Sequence, residues 1–201
     1  MHGEEAGESS MKHEDHVGLL RAGVQAAGGI WADFGSGEGA FTLALADLLG
    51  QAGTIYSIDR DGGALQRQEH ALRRRFPNVA VTYRCADFVR PLGLPPLDGV
   101  VMANSLHFQL DKEPVLALTR GCLKPSGRLI LVEYDTDQGN PWVPYPLSFA
   151  SWSASGGLAA RCGFVETRLL AAVPSRFLRR IYAALSRVRC ASGGSDGAGA
   201  R

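Results

Sequence analysis

The chain predicts an α/β fold: a mostly parallel sheet with helices on both faces, ending in an antiparallel hairpin. Three observations carry this. Short, solidly apolar runs alternate with helical patterns from Ile30 to Glu133, as strands buried on both faces of a parallel sheet do. A glycine-rich loop, in WADFGSGEGAF at 31–41, follows the first such run. The last two apolar segments are joined by only AAVPSR, too little for a crossover helix, so they must pair antiparallel.

Each element follows in order. Ile30–Phe34 is the first strand. Phe41, Leu45, Leu48 and Leu49 then recur at helical spacing, and Gly50 offers a stop. Thr54–Ile58 is β-branched and apolar and leads into Asp59. Gly63–Phe76 carries an Arg-rich helical face and ends before Pro77. Val79–Tyr83 is the third strand, and the stretch from Cys85 to Leu97, with its three prolines, predicts an irregular crossover. Gly99–Ala103 is the fourth strand, followed by a helix over Lys112–Leu123. The turn Lys124–Gly127 hands over to a fifth strand, Arg128–Glu133. A helix near Leu147–Arg161, weakened by SASGG at Ser153–Gly157, precedes the hairpin strands Phe164–Leu170 and Phe177–Leu185. His13–Ala27, partly amphipathic through Val17, Leu19, Leu20 and Val24, is the one candidate cap over the site.

With 201 residues, the chain suits a single domain over 13–190, flanked by polar, small-residue tails at 1–12 and 191–201 that read as disordered. A formal net charge of +1 supplies no global field for nucleic acid or an acidic membrane. Arginines cluster at Arg73–Arg75 and at Arg176, Arg179, Arg180, Arg187 and Arg189, patterns that read first as solvated faces. Four scattered cysteines without a C-x-x-C pair predict reduced thiols and no metal site. No apolar run reaches the ~18 residues of a membrane span, and the N-terminus is acidic where a signal peptide is basic. The expectation is a cytoplasmic protein with no nucleic-acid or membrane partner.

The glycine loop lies where open α/β sheets bind ligands, beyond the carboxyl end of a strand. Gly35, Gly37 and Ala40 also satisfy G-x-G-x-x-G/A, so the loop alone does not choose between a dinucleotide and another adenosine cofactor. Asp59, 24 residues past Gly35, can accept from both ribose hydroxyls in either case.

Taken together, these motifs make the chain resemble the class I S-adenosylmethionine-dependent methyltransferases of the small-molecule type, from about Val17 to Leu185. Asp33-Phe-Gly-Ser-Gly-Glu-Gly resembles the family's acid-x-G-x-G-x-G motif, and Asp59 matches the acid ending its second strand. Ala86-Asp87-Phe88 is similar to the motif whose acid and apolar residue clasp the adenine. Asn104-Ser-Leu-His107 sits at the loop under the methionine moiety, and Cys122–Leu129 resembles the turn before strand five. The resemblance implies a Rossmann-like, seven-stranded sheet and S-adenosyl-L-methionine as cofactor. Its contacts would be Asp33, Gly35, Ser36, Gly37, Gly39, Asp59, Arg60, Asp87, Phe88 and Asn104.

Methyl transfer is an in-line displacement that needs a base only where the acceptor must lose a proton. The family has no fixed catalytic residue. His107 is the candidate base, with Glu133 and Tyr134 beside it at the end of strand five. The proline-stiffened segment NPWVPYPLSFASW displays Trp142, Tyr145, Phe149 and Trp152, which with His107 and Asp135 are expected to wall a pocket for a flat or apolar acceptor. The same aromatics would also serve a homodimer contact. An NAD-dependent oxidoreductase and a non-catalytic cofactor-binding regulator are the alternative readings. The first is disfavoured by Asp33, by Ala86-Asp87-Phe88 and by the terminal hairpin.

Overall fold

The computed structural model describes residues 11–175 and 178–189. The tails at 1–10 and 190–201, Cys190, Arg176 and Phe177 lie outside the described residues. In chain order the elements are α1 (His13–Arg21), β1 (Gly29–Phe34), α2 (Ala40–Leu49), β2 (Gly53–Asp59), α3 (Gly62–Arg75), β3 (Ala80–Cys85) and β4 (Leu97–Ala103). There follow α4 (Glu113–Cys122), β5 (Leu123–Tyr134), α5 (Phe149–Ser153), α6 (Leu158–Arg161), β6 (Phe164–Pro174) and β7 (Arg180–Val188).

One seven-stranded sheet takes the order β3-β2-β1-β4-β5-β7-β6. The first five strands pair in parallel, whereas β7 runs antiparallel between β5 and β6. The chain moves outward from β1 to β3 and then returns to β4 on the other side of β1. That reversal opens a crevice at the carboxyl ends of β1 and β4.

The central strands are apolar on both faces because both are covered. Val100, Met102, Leu129 and Leu131 face a core closed by α4 and Trp152. Val101, Ile130 and Val132 face a second core built with α1 and α2. The segment expected to cap the site is a core element instead: Val17, Leu19, Leu20 and Val24 are buried in that second core. Its apolar stripe is spent on the sheet face.

Two further expectations are corrected. The Lys124–Gly127 turn lies inside β5, where pairing with β4 jumps from Leu97↔Leu123 to Gly99↔Arg128 and the intervening residues bulge out. The single helix expected over Leu147–Arg161 is two short ones, α5 and α6. Gly156 between them takes φ +77°, and a Cβ on Gly157 would lie 2.8 Å from the Ser151 carbonyl oxygen. The chain turns there instead of winding on.

Candidate active site

The glycine loop extends β1 past its last residue. The N–H groups of Gly35 and Ser36 both donate to Ile58 O, at 2.8 and 3.1 Å. Gly35 takes φ +76°, and a Cβ there would lie 2.5 Å from Ser105 Cβ, so only glycine fits between the two loops. Gly37, by contrast, meets nothing within 4 Å. Its bare backbone forms part of the wall of a cavity of about 310 Å³.

That cavity brings together Gly35, Gly37, Asp59, Arg60, Asp87, Phe88 and Asn104, seven of the ten expected cofactor contacts. Asp59 is fixed before any ligand arrives: Gly37 N–H donates to Oδ2 at 2.7 Å and Asp61 N–H to Oδ1 at 2.9 Å. Each carboxylate oxygen keeps lone-pair capacity for a further donor. Phe88 stacks nearly parallel on Phe34, with centroids 6.1 Å apart. Asp87 accepts from Val89 N–H at 3.2 Å.

The other three contacts lie behind the wall. Asp33 is buried and accepts from Thr42 Oγ1 at 2.6 Å. Burial pushes its carboxyl up to about 7, the Thr42 bond opposes this, and the nearby Asp59 charge adds to it. Ser36 Oγ shares a 2.8 Å hydrogen bond with Ser57 Oγ, and both reach Gln68 Oε1, so Ser36 anchors the loop from below. A Cβ on Gly39 would lie 2.3 Å from Gln68 Cγ, again on the buried side.

Asn104 is the most informative wall residue. Its backbone is left-handed, with φ 51°, and its N–H is used by Val132 O at 2.9 Å. Its side-chain Oδ1 is buried with no hydrogen-bond partner. A buried acceptor without a donor costs about 1–3 kcal/mol.

His107 and Glu133 do come together, though beneath the wall. Glu133 is wholly buried; its Oε1 accepts from the N–H groups of Leu106 and His107, both at 3.1 Å, and its Oε2 lies 2.7 Å from His107 Nδ1. His107 is 3% exposed and is not among the cavity walls. The pair therefore staples the loop after β4 to the end of β5, and His107, expected as the base, is buried there outside the cavity wall. Tyr134 packs with its ring 6.0 Å from His107, and burial raises its phenol above the usual value, with Glu133 adding to the effect.

Asp135 is likewise engaged in holding backbone. It accepts from Phe149 N–H at 2.9 Å and from the Arg180 guanidinium, whose Nε lies 2.9 Å away. Asp137 accepts from Ser148 N–H, Ser148 Oγ and Ser151 Oγ, which hold its carboxyl below the usual range against the opposing effect of burial. Asn140 Oδ1 accepts from the N–H groups of Trp142 and Val143. The stapled segment presents Trp142, 68% exposed, and Tyr145, with Lys112 Nζ 5.9 Å above the Tyr145 ring. Tyr145 N–H donates to His107 O at 3.0 Å, tying this segment to the loop after β4. Trp152 is not displayed: it is fully buried in the core, and Phe149 packs edge-on against Tyr182.

Four wall residues were not among the expected contacts: Ala86 after β3, and Ser105, Phe108 and Gln109 after β4. Ser105 Oγ donates to Phe34 O at 2.7 Å and joins the ends of β1 and β4. The sequence signal for the last three was their position just after a strand that borders the glycine loop. Among the described residues no group of three or more His, Cys, Asp or Glu side chains is placed to hold a metal. No helix among them is long and apolar enough to cross a membrane.

Comparison with known proteins agrees with this arrangement. Residues 32–131 match the family model described as a methyltransferase domain. An O-methyltransferase of Penicillium expansum is 29% identical over 119 residues, covering 59% of this chain and 42% of that protein. The chain therefore spans less than half the length of this curated relative. Among solved structures, the YcgJ protein of Bacillus subtilis superposes with a TM-score of 0.69 at 12% identity, covering 89% of this chain and all of the other. The 1,6-didemethyltoxoflavin-N1-methyltransferase of Burkholderia thailandensis gives 0.67 at 16% identity, covering 88% of this chain and 78% of the other. At these identities the structural likeness concerns the fold.

Proposed function

We propose, from the match of residues 32–131 to a methyltransferase domain, that this chain moves a methyl group from S-adenosyl-L-methionine to a small-molecule acceptor. The observation that carries the reading is the single cavity that gathers the pinned Asp59 carboxylate, the bare Gly37 backbone and Asn104. A zwitterionic amino-acid moiety joined to a ribose and a flat base answers all three. The carboxylate of Asp59 would take the ribose hydroxyls, Asp87 and Phe88 the base, and Asn104 Oδ1 the ammonium group. The structure of the Burkholderia relative was solved with bound S-adenosylhomocysteine, which supports the choice of cofactor.

When bound, the cofactor supplies an electrophilic methyl group on a sulfonium. The work left to the protein is to orient the acceptor and exclude water. Phe108, more than half exposed, bridges from the cavity wall to the surface, and Trp142 and Tyr145 stand on the segment tied to the same loop. We assign these three aromatics to a flat acceptor. His107 and Glu133 act as positioning residues that fix the loop bearing Asn104 and Phe108. Tyr134, a neutral phenol at physiological pH, can hold an acceptor by hydrogen bonding but does not supply a base.

Calorimetric titration with S-adenosylmethionine, S-adenosylhomocysteine and NAD(H) tests the proposal. Saturable binding of the first two, weakened at least tenfold by Asp59→Ala, is expected. Binding of NAD(H) alone would return the glycine loop to the dinucleotide class.

A further inference from the structure

A second cavity, of about 360 Å³, opens at the opposite edge of the sheet, where β1 and β4 begin. Its charged walls are Asp98, Lys124, Arg128 and Arg187, and it shares no residue with the cofactor cavity. Lys124 is already matched, with Nζ 2.8 and 2.9 Å from the two Asp98 carboxylate oxygens, and Ile30 N–H completes that carboxylate.

The two arginines are not matched in the same way. Arg128 and Arg187 are directly opposite one another in the β5–β7 pairing, so their side chains rise from the same face. Like charges in that position oppose strand pairing. Arg187 has Nε 3.2 Å from Glu166 Oε2, on a carboxylate that is itself largely exposed. Arg128 makes no ion pair among the described residues; its Nη1 donates only to Gly23 O, at 3.3 Å. Burial holds its guanidinium below the usual range, with the Arg187 charge the next cause and Asp98 opposing. The cavity thus gathers more positive charge than its carboxylates neutralise, in a strand register that discourages such a pair.

We infer that this cavity binds a small soluble phosphate monoester, its oxyanion clasped between the guanidinium groups of Arg128 and Arg187. Two planar forks side by side suit a tetrahedral dianion, which accepts several charge-assisted bonds at once. The cavity exceeds the size of a bare phosphate, leaving room for an organic substituent on the ester oxygen. Binding needs no covalent step, and the inference does not depend on the methyltransferase reading.

The test is calorimetry on the full chain with glycerol phosphate and, separately, inorganic phosphate at low ionic strength. One-to-one binding is expected, tighter for the ester, and weakened at least tenfold by both Arg187→Gln and Arg128→Gln. Arg74→Gln, an exposed residue on α3, should change nothing. Thermal melts guard against a folding effect: without phosphate, Arg128→Gln should melt no lower than the parent, since it removes a like-charge contact. With phosphate present, only the parent and Arg74→Gln should gain stability. Any of three results overturns the inference: no binding at millimolar ligand, equal weakening by Arg74→Gln, or a marked loss of stability in phosphate-free Arg128→Gln.

Discussion

Glu133→Ala should be among the most damaging single substitutions at the active-site end of the sheet. The carboxylate receives two backbone N–H groups at 3.1 Å and stands 2.7 Å from His107 Nδ1, all in a fully buried setting. Alanine leaves all three groups without a partner. Each buried orphan costs about 1–3 kcal/mol. Because the three orphans share one relaxing loop, their costs do not simply add, and a total of about 3–5 kcal/mol is expected. With a urea slope of about 2–3 kcal/mol/M for a chain of this size, the midpoint should fall by roughly 1–2 M. Glu133→Gln keeps an acceptor for both N–H groups, and its amide can donate to Nδ1 of a neutral imidazole, so its cost should be about 1–2 kcal/mol. The assay is equilibrium urea unfolding, followed by S-adenosylhomocysteine titration of whatever remains folded. Affinity should fall with alanine and survive with glutamine. An alanine variant within about 1 kcal/mol of the parent, or equal costs for the two variants, would refute the stapling argument.

Three other outcomes follow from the geometry. Asp33 has its folded pKa raised from 3.8 to about 7, so the unfolded chain gives up this proton first. Its contribution is greatest below the lower value and is lost as pH rises to the upper one. Paired urea titrations across that window should show the parent losing stability relative to Asp33→Asn, on the order of a few kcal/mol at most; parallel pH curves would contradict the assigned cause. Gly35→Ala forces a side chain into φ +76° and against Ser105, and should cost about 1–3 kcal/mol by unfolding while abolishing detectable S-adenosylhomocysteine binding. Trp142→Ala removes an exposed ring, so stability should stay within about 0.5 kcal/mol. Cofactor affinity should also hold while acceptor KM rises; lost cofactor binding would sink the acceptor-wall assignment.

The strands were legible because a parallel strand covered on both faces has to be apolar throughout, as Arg128–Glu133 and Gly99–Ala103 nearly are. The terminal hairpin was legible because AAVPSR is too short for any other connection. The helix that broke at Gly156–Gly157 was visible as a weak stretch, though pattern alone did not say that the two halves would separate. α1 misled in a different way. An amphipathic segment announces that one face is buried, and nothing local says whether it meets the sheet or a ligand. The cavity wall was legible through motifs whose spacing is local, such as Gly35, Gly37 and Asp59. Ser36 and Gly39 sit in the same loop with their sides turned to Gln68, an alternation that only the backbone geometry reveals.

The least legible feature was what the acids after β5 do. Glu133 and Asp135 read as carboxylates at the functional edge, placed to receive a proton or to orient an acceptor, and Asp137 follows them two residues on. Each instead accepts backbone N–H groups: Leu106 and His107 for Glu133, Phe149 for Asp135, Ser148 for Asp137. A segment rich in proline has few donors of its own to form regular structure, so it is held in place by side-chain acceptors. That arrangement fixes the backbone that carries Trp142 and Tyr145, which would lower the ordering cost of binding the proposed acceptor. If the proposed methyl transfer holds, a displacement whose main requirement is alignment would be served by Asp135 and Asp137 holding this segment, and by Glu133 holding the loop after β4.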